Sequence, residues 1–309
     1  MERLRAARIR AIAVREWREA AASRSFVVVS VLLPALMLGL TVLPMYLAGS
    51  DAAPTSPSDT LLANQYVLGL LLVLLLFLGV AAQSQALLRS VMEERGTRMM
   101  ELLLSSITPL EMLVGKLLGY AAVALTQLVL WVVTGVVLVA AFHLTSAIQL
   151  IRSAGVTTGV LFLCCYAVGY LLYASIYAAV GAVIAAEREA HLYQQLLGLM
   201  LMIPFVASAA LISNPGSALV ARLTWIPLLT PTLLLLRWAF GAVTPFEIVG
   251  TLLVTLLAAF AALMLAARVF RGAALLSARR LSWREAWRAG VRQSYGSEST
   301  MSSKRSHSL

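Results

Sequence analysis

The chain has 309 residues, 61% of them apolar and 12% charged, with a net charge of +10 and a mean hydropathy of +0.88. Soluble domains average roughly 45–50% apolar and about 25% charged, so this composition excludes a disordered chain, a fibrous one and an ordinary soluble enzyme. Lipid is then the main solvent, and the positive charge bears on topology before it bears on nucleic-acid binding.

The leader from Met1 to Ser25 carries seven arginines. As a helix it is only partly amphipathic: Ile9, Ile12, Ala13 and Trp17 share a face, and Arg10 and Glu16 intrude on it. The leader is too long for the basic region of a signal peptide, so the apolar run after it reads as a retained helix. Six runs are long enough to cross about 30 Å of hydrocarbon: Phe26–Leu47, Leu61–Leu88, Met112–Phe142, Val156–Ala186, Leu192–Ile212 and Ile248–Phe270. The second, third and fourth exceed the need and must tilt or project into water. Pro34 and Pro204 fall inside spans and are expected to kink them. The spacings Gly115-x-x-x-Gly119 and Gly155-x-x-x-Gly159 would each allow close helix approach. Gln83, Gln85 and Gln127 read as glue between helices or as the lining of a path. The adjacent Cys164 and Cys165 read as small packing residues.

Twenty-one of the 24 Lys and Arg residues fall in four segments: Met1–Ser25, Arg89–Lys116, the loop at Arg188, and Arg268 to the end. With six spans all four lie on one side, and the positive-inside rule puts both termini in the cytoplasm. The opposite side keeps Arg152, Arg222 and Arg237 against Asp51, Asp59 and Glu247. Ser213–Glu247 is too apolar for a solvated loop, yet a seventh span would send the C-terminal cations outside. Broken by Pro215, Pro227 and Pro231, it reads as a pair of short helices that enter the outer leaflet and return. The predicted fold is therefore an all-α integral membrane protein of six transmembrane helices with an extracellular re-entrant helical hairpin before the last span. Its parts are a connecting helix over 1–25, a permease domain over 26–270 with a coupling segment at 89–116 and the hairpin at 213–247, and a basic tail over 271–309.

No catalytic constellation is present. Gly115-Lys116 is followed by Leu117, with Leu110 where a phosphate loop needs its first glycine. His143, His191 and His307 are far apart, so no metal site is expected, and no G-x-S-x-G elbow occurs. Deep intramembrane acids, which an ion-coupled carrier needs as relays, are also missing.

The informative stretch joins the second and third spans. Thr97 can cap a helix after the break at Gly96, and Met99, Leu102 and Leu103 then share one face. Pro109 stops that helix, and a second start leads through Lys116 into the next span. Physically this is a short amphipathic helix that either lies on lipid or docks on a cytoplasmic partner. Glu93-Glu94-Arg95-Gly96-Thr97, Glu101-Leu102-Leu103-Leu104-Ser105-Ser106, Thr108-Pro109 and Leu113-Val114-Gly115-Lys116 resemble the coupling segment of type-2 ABC exporter permeases. Arg15-Glu16-Trp17, with Arg24-Ser25-Phe26 and Leu33-Pro34, is similar to the opening of that family's sodium-extrusion and multidrug-like branch. Asn214-Pro215, Ile226-Pro227, Thr230-Pro231 and Gly241 resemble its extracellular hairpin.

The resemblance spans roughly Arg15 to Arg271. It implies six spans per protomer, a second permease copy or paralogue, and two cytoplasmic ABC ATPase subunits that hold ATP and Mg, with no cofactor in this chain. It also implies ATPase coupling through Glu93, Glu94, Gly96, Thr97, Arg98, Glu101, Pro109 and Lys116, and a second contact at Glu187 and Arg188. Ala48–Thr60 is a short polar connector where relatives often carry an extracellular domain. This weakens sodium extrusion and points to a hydrophobic or amphipathic cargo. The expected function is a multi-pass permease subunit in the cytoplasmic membrane, without its own ATPase activity, that exports cargo at the expense of ATP. The alternatives are a non-transporting anchor that relays a signal and an ion-coupled carrier. In the tail, Arg279, Arg280, Arg284, Arg288 and Arg292 recur at helical spacing with Trp283 and Trp287. That pattern suits anionic lipid or the ATPase, and Ser294–Leu309 reads as disordered.

Overall fold

The structure is a computed structural model that describes residues 2–23, scattered positions between 26 and 39, and 57–96, 108–141, 145–184, 187–211, 214 and 216–275. The described residues form helices without strands: α1 (Glu2–Ala21), α2 (Pro57–Gly96), α3 (Pro109–Ala141), α4 (Thr145–Gly181), α5 (Glu187–Leu211), α6 (Ala218–Leu223), α7 (Thr230–Ala239) and α8 (Pro245–Leu275). Four carry stretches long and apolar enough to cross a bilayer: Val67–Glu93, Leu110–Ala141, Ala154–Gly181 and Pro245–Phe270. The fifth expected span coincides with α5, whose described side chains include an apolar stretch at Leu192–Ser208. The first expected span, Phe26–Leu47 with Pro34, and the basic tail beyond Leu275 lie largely or wholly outside the described residues.

The helices that hold the predicted runs start ahead of them, and in α3 and α4 a local feature accompanies the start. α3 begins at Pro109, at the expected restart, where Thr108 and Glu111 form a reciprocal cap. The Thr108 amide donates to Glu111 Oε2 at 3.2 Å, and the Glu111 amide donates to Thr108 Oγ1 at 3.3 Å. α4 begins at Thr145, well before Val156, and is broken at Gly155 with φ 67° and ψ 171°. That conformation is essentially reserved for glycine. Gly155 therefore serves as a hinge between two helical pieces; neither it nor Gly159 has a neighbour that an added Cβ would meet. The second glycine pair thus makes no close approach among the described residues.

The core forms where α2, α3, α4 and α8 face one another, around Leu87, Leu88, Leu113, Tyr177, Ala266 and Phe270. Tyrosine hydroxyls tie elements together across it. Tyr170 donates to the Leu117 carbonyl at 2.9 Å and Tyr173 to the Leu228 carbonyl at 2.8 Å. Ser213–Glu247 does contain two short helices, α6 and α7, of 6 and 10 residues. α7 is buried on nearly every side, from Thr230 through Arg237, with Leu233, Leu234, Leu235 and Leu236 at its centre. A helix of that kind must be enclosed, and α2, α4, α5 and α8 enclose it. At its end, buried Arg237 donates from Nη2 to the Ala242 carbonyl at 2.7 Å and to Glu247 at 3.2 Å. This pins the turn at Gly241 to the capped start of α8.

Gln83 on α2 donates to Gln127 on α3 at 2.6 Å, and both are buried, so this pair acts as glue between helices. Replacing either residue with leucine is expected to cost about 1 kcal/mol, because the partner amide is left unpaired; replacing both should recover most of the loss. Thermal unfolding of the chain and its three variants in one detergent checks this.

Candidate functional site

Two of the segments quoted for the resemblance, Arg15-Glu16-Trp17 and Leu113-Val114-Gly115-Lys116, meet in space. α1 runs alongside the first half of α3 in the same direction. Arg5 Nε lies 3.3 Å and Arg8 Nη1 3.9 Å from the Glu111 carboxylate. Further on, Trp17 Nε1 donates to Thr126 Oγ1 at 3.0 Å. Glycines make the approach possible. A Cβ on Gly115 would lie 2.8 Å from Ile12 Cβ, and one on Gly119 would lie 2.7 Å from Glu16 Cβ and 3.0 Å from the Ala13 carbonyl oxygen. The first of the two glycine spacings therefore does what its form suggested, with α1 as the partner.

At the centre lies a buried charge cluster. Lys116 Nζ donates to Glu16 Oε1 at 2.9 Å, and the two side chains are 1% and 5% exposed. Ser90, in the last turns of α2, donates from Oγ to Glu16 Oε2 at 3.1 Å and accepts a hydrogen bond from Lys116. Arg15 Nη2 adds a contact to Glu16 Oε1 at 3.0 Å. Burial alone would raise the Glu16 carboxyl. The Lys116 ammonium, with hydrogen bonds from Lys116, Arg15 and Ser90, outweighs it and holds the group below the usual carboxylate range. One carboxylate of α1 thus bridges the end of α2 and the start of α3. These are the entrance and the exit of the connecting segment.

Lys116 faces inward to Glu16 and has almost no exposed surface to offer a docking partner. Glu93 is exposed near the end of α2. Glu94 and Gly96 close α2, Pro109 opens α3, and Glu187 and Arg188 open α5, with their side chains outside the description. Thr97, Arg98 and Glu101 lie outside the described residues.

Glu16, Ser90 and Glu111 were not among the candidate residues. A signal for Glu16 existed. An acid intruding on an apolar face, and a lone lysine just inside a predicted span, each need a buried partner of opposite charge. Neither indicates which partner. Among the described residues no three His, Cys, Asp or Glu side chains gather into a metal-sized group.

Comparison with known proteins gives a family match and two distant relatives. Residues 54–268 match the model of the ABC-2 family transporter protein. The chain is similar to the uncharacterized protein MJ1024 of Methanocaldococcus jannaschii, 24% identical over 204 residues, covering 66% of this chain and 49% of that protein. It is also similar to the uncharacterized protein YhaP of Bacillus subtilis, 23% identical over 215 residues, covering 67% of this chain and 51% of that protein. The chain spans about half the length of the curated relatives it matches. No solved structure matches it. With the family model covering residues 54–268 and four helices among the described residues long and apolar enough to cross a bilayer, the chain belongs to the ABC-2 transporter family.

Proposed function

We propose that this chain is the membrane-spanning permease subunit of an ATP-driven ABC exporter for a hydrophobic or amphipathic cargo. Two cytoplasmic ATPase subunits bind ATP and Mg, close on it, and push the segment between α2 and α3. A second permease copy or paralogue completes the path. The chain crosses the cytoplasmic membrane six times with both termini inside, 213–247 is a re-entrant hairpin, and 271–309 is a basic tail against lipid. Coupling runs through Glu93, Glu94, Gly96, Thr97, Arg98, Glu101 and Pro109, with Glu187 and Arg188 as a second contact.

The observation that carries this reading is the pinned junction at Glu16. A segment meant to transmit force must be anchored firmly at both limbs. Here α2 ends at Gly96, α3 restarts on the Thr108–Glu111 cap, and one buried carboxylate holds the limbs together.

The test uses the tagged chain, purified from its native membranes and reconstituted into vesicles. ATP hydrolysis is expected only with a co-purifying ATPase. ATP should also drive directional movement of a fluorescent phosphatidylethanolamine or of tetraphenylphosphonium. ATP turnover by the chain freed of every partner would overturn the reading, as would an ATPase-bearing complex that moves neither probe.

A further inference from the structure

We propose that Glu16 is a positioning residue for force transmission, and that α1 is a working arm of the permease as well as an anchor. This rests on the coupling reading above. The argument is geometric. Glu16 uses its two oxygens on different limbs of one loop: Oε2 accepts from Ser90 on α2, and Oε1 accepts from Lys116 on α3. The limbs cannot shear past each other without breaking one of those bonds. The cluster is buried, so water is not at hand to replace a broken bond, and the cost of parting the charges is high. Gly115 and Gly119 let α1 seat Ile12, Ala13 and Glu16 directly on the α3 backbone, so the two helices interlock at this point. Arg5 and Arg8 hold α1 to Glu111, the residue that caps α3 at the segment's exit. A displacement delivered to the segment therefore carries α1, the end of α2 and the start of α3 as one body. Without Glu16 the direct Lys116–Ser90 bond is left to tie the limbs, and part of the same push is lost as twist before it reaches the spans.

The variant that isolates this role is the neutral pair E16Q/K116M, which leaves no unpaired buried charge and keeps the glycine contact. It is compared with wild type and with the charge swap E16K/K116E, each as the complete complex in vesicles or nanodiscs. Spin labels go on exposed positions, Ala11→Cys on α1 and Val133→Cys on α3, with Cys164 and Cys165 replaced by serine and alanine. In wild type the distance between the labels should be the same without nucleotide and after trapping with ATP and vanadate. In E16Q/K116M it should shift or broaden on trapping, and the amount of probe moved per ATP should fall about five- to tenfold. The charge swap should restore a good part of both.

A double variant with unchanged distance and unchanged probe per ATP overturns this inference and leaves the proposed function standing. So does a wild-type distance that changes on trapping, or a folded charge swap that restores neither readout. A wild-type complex with no ATP-driven movement of either probe overturns the proposed function, and this inference with it.

Discussion

Replacing Lys116 with methionine is expected to destabilise the docked state of α1 by about 3–5 kcal/mol, the usual cost of leaving a buried charge without its partner. Glu16 would keep only Arg15 and Ser90 for a carboxylate that is 5% exposed. The double variant E16Q/K116M should regain most of the loss, because a neutral buried pair carries no uncompensated charge. The pH dependence gives an independent check. In wild type the Glu16 carboxyl is held low, so its contribution is present above the unfolded carboxylate pKa and fades as pH falls through the depressed folded one. Without Lys116, burial is the largest influence left, and the folded carboxyl should rise above its unfolded value. Its stability contribution is then present in acid and lost as pH rises through that raised value. Unfolding measured from about pH 4 to 8 should therefore slope upward or lie flat in wild type and slope downward in K116M. Parallel curves for the two would show that Lys116 is not the partner that decides the Glu16 charge.

Substituting leucine at Gly119 is expected to lift α1 from α3. Its Cβ alone would sit 2.7 Å from Glu16 Cβ and 3.0 Å from the Ala13 carbonyl oxygen, and backbone cannot move aside as a flexible side-chain tip can. Overpacking of this kind costs about 1–3 kcal/mol. Here the separation also breaks the Glu16–Lys116 bond, so the total should reach the upper end of that range or pass it. Alanine at Gly159, where nothing lies within 4 Å, is the control. It adds no clash and, inside α4, should be neutral or gain up to about 1 kcal/mol in helix propensity. Hydrogen exchange in α1, compared among wild type, G119L and G159A, reads the docking directly. Full α1 protection in G119L would mean that the helices do not approach as described.

Much of the fold could be read from residue order alone, because membrane helices leave few options for a backbone whose polar groups cannot meet water. The apolar runs behind α2, α3, α4 and α8, the stop at Gly96, the restart near Pro109, and the two short helices between Ser213 and Glu247 all follow from local chemistry. The glycine pairs show where that reading ends. Gly115-x-x-x-Gly119 and Gly155-x-x-x-Gly159 are spelled alike, yet the first receives α1 and the second includes a hinge at Gly155. A four-residue glycine spacing shows that a helix face is smooth, but it does not indicate whether another helix comes to it.

The candidate site divides in the same way. The sequence drew attention to the segment between the second and third spans and, separately, to the opening Arg15-Glu16-Trp17, each by its resemblance to one family and with no link between them. Lys116 read as a contact for an outside partner, and Glu16 as a flaw in an amphipathic face. Only the tertiary structure decided that these two residues, 100 positions apart, complete each other. The sequence by itself determined the solvent and most of the helices, since hydrophobicity and helix signals act over one or two turns. Which charge neutralises which was left to packing. A buried ion pair is stable only when both desolvated groups arrive at the same point, and that point exists only once α1, α2 and α3 are assembled.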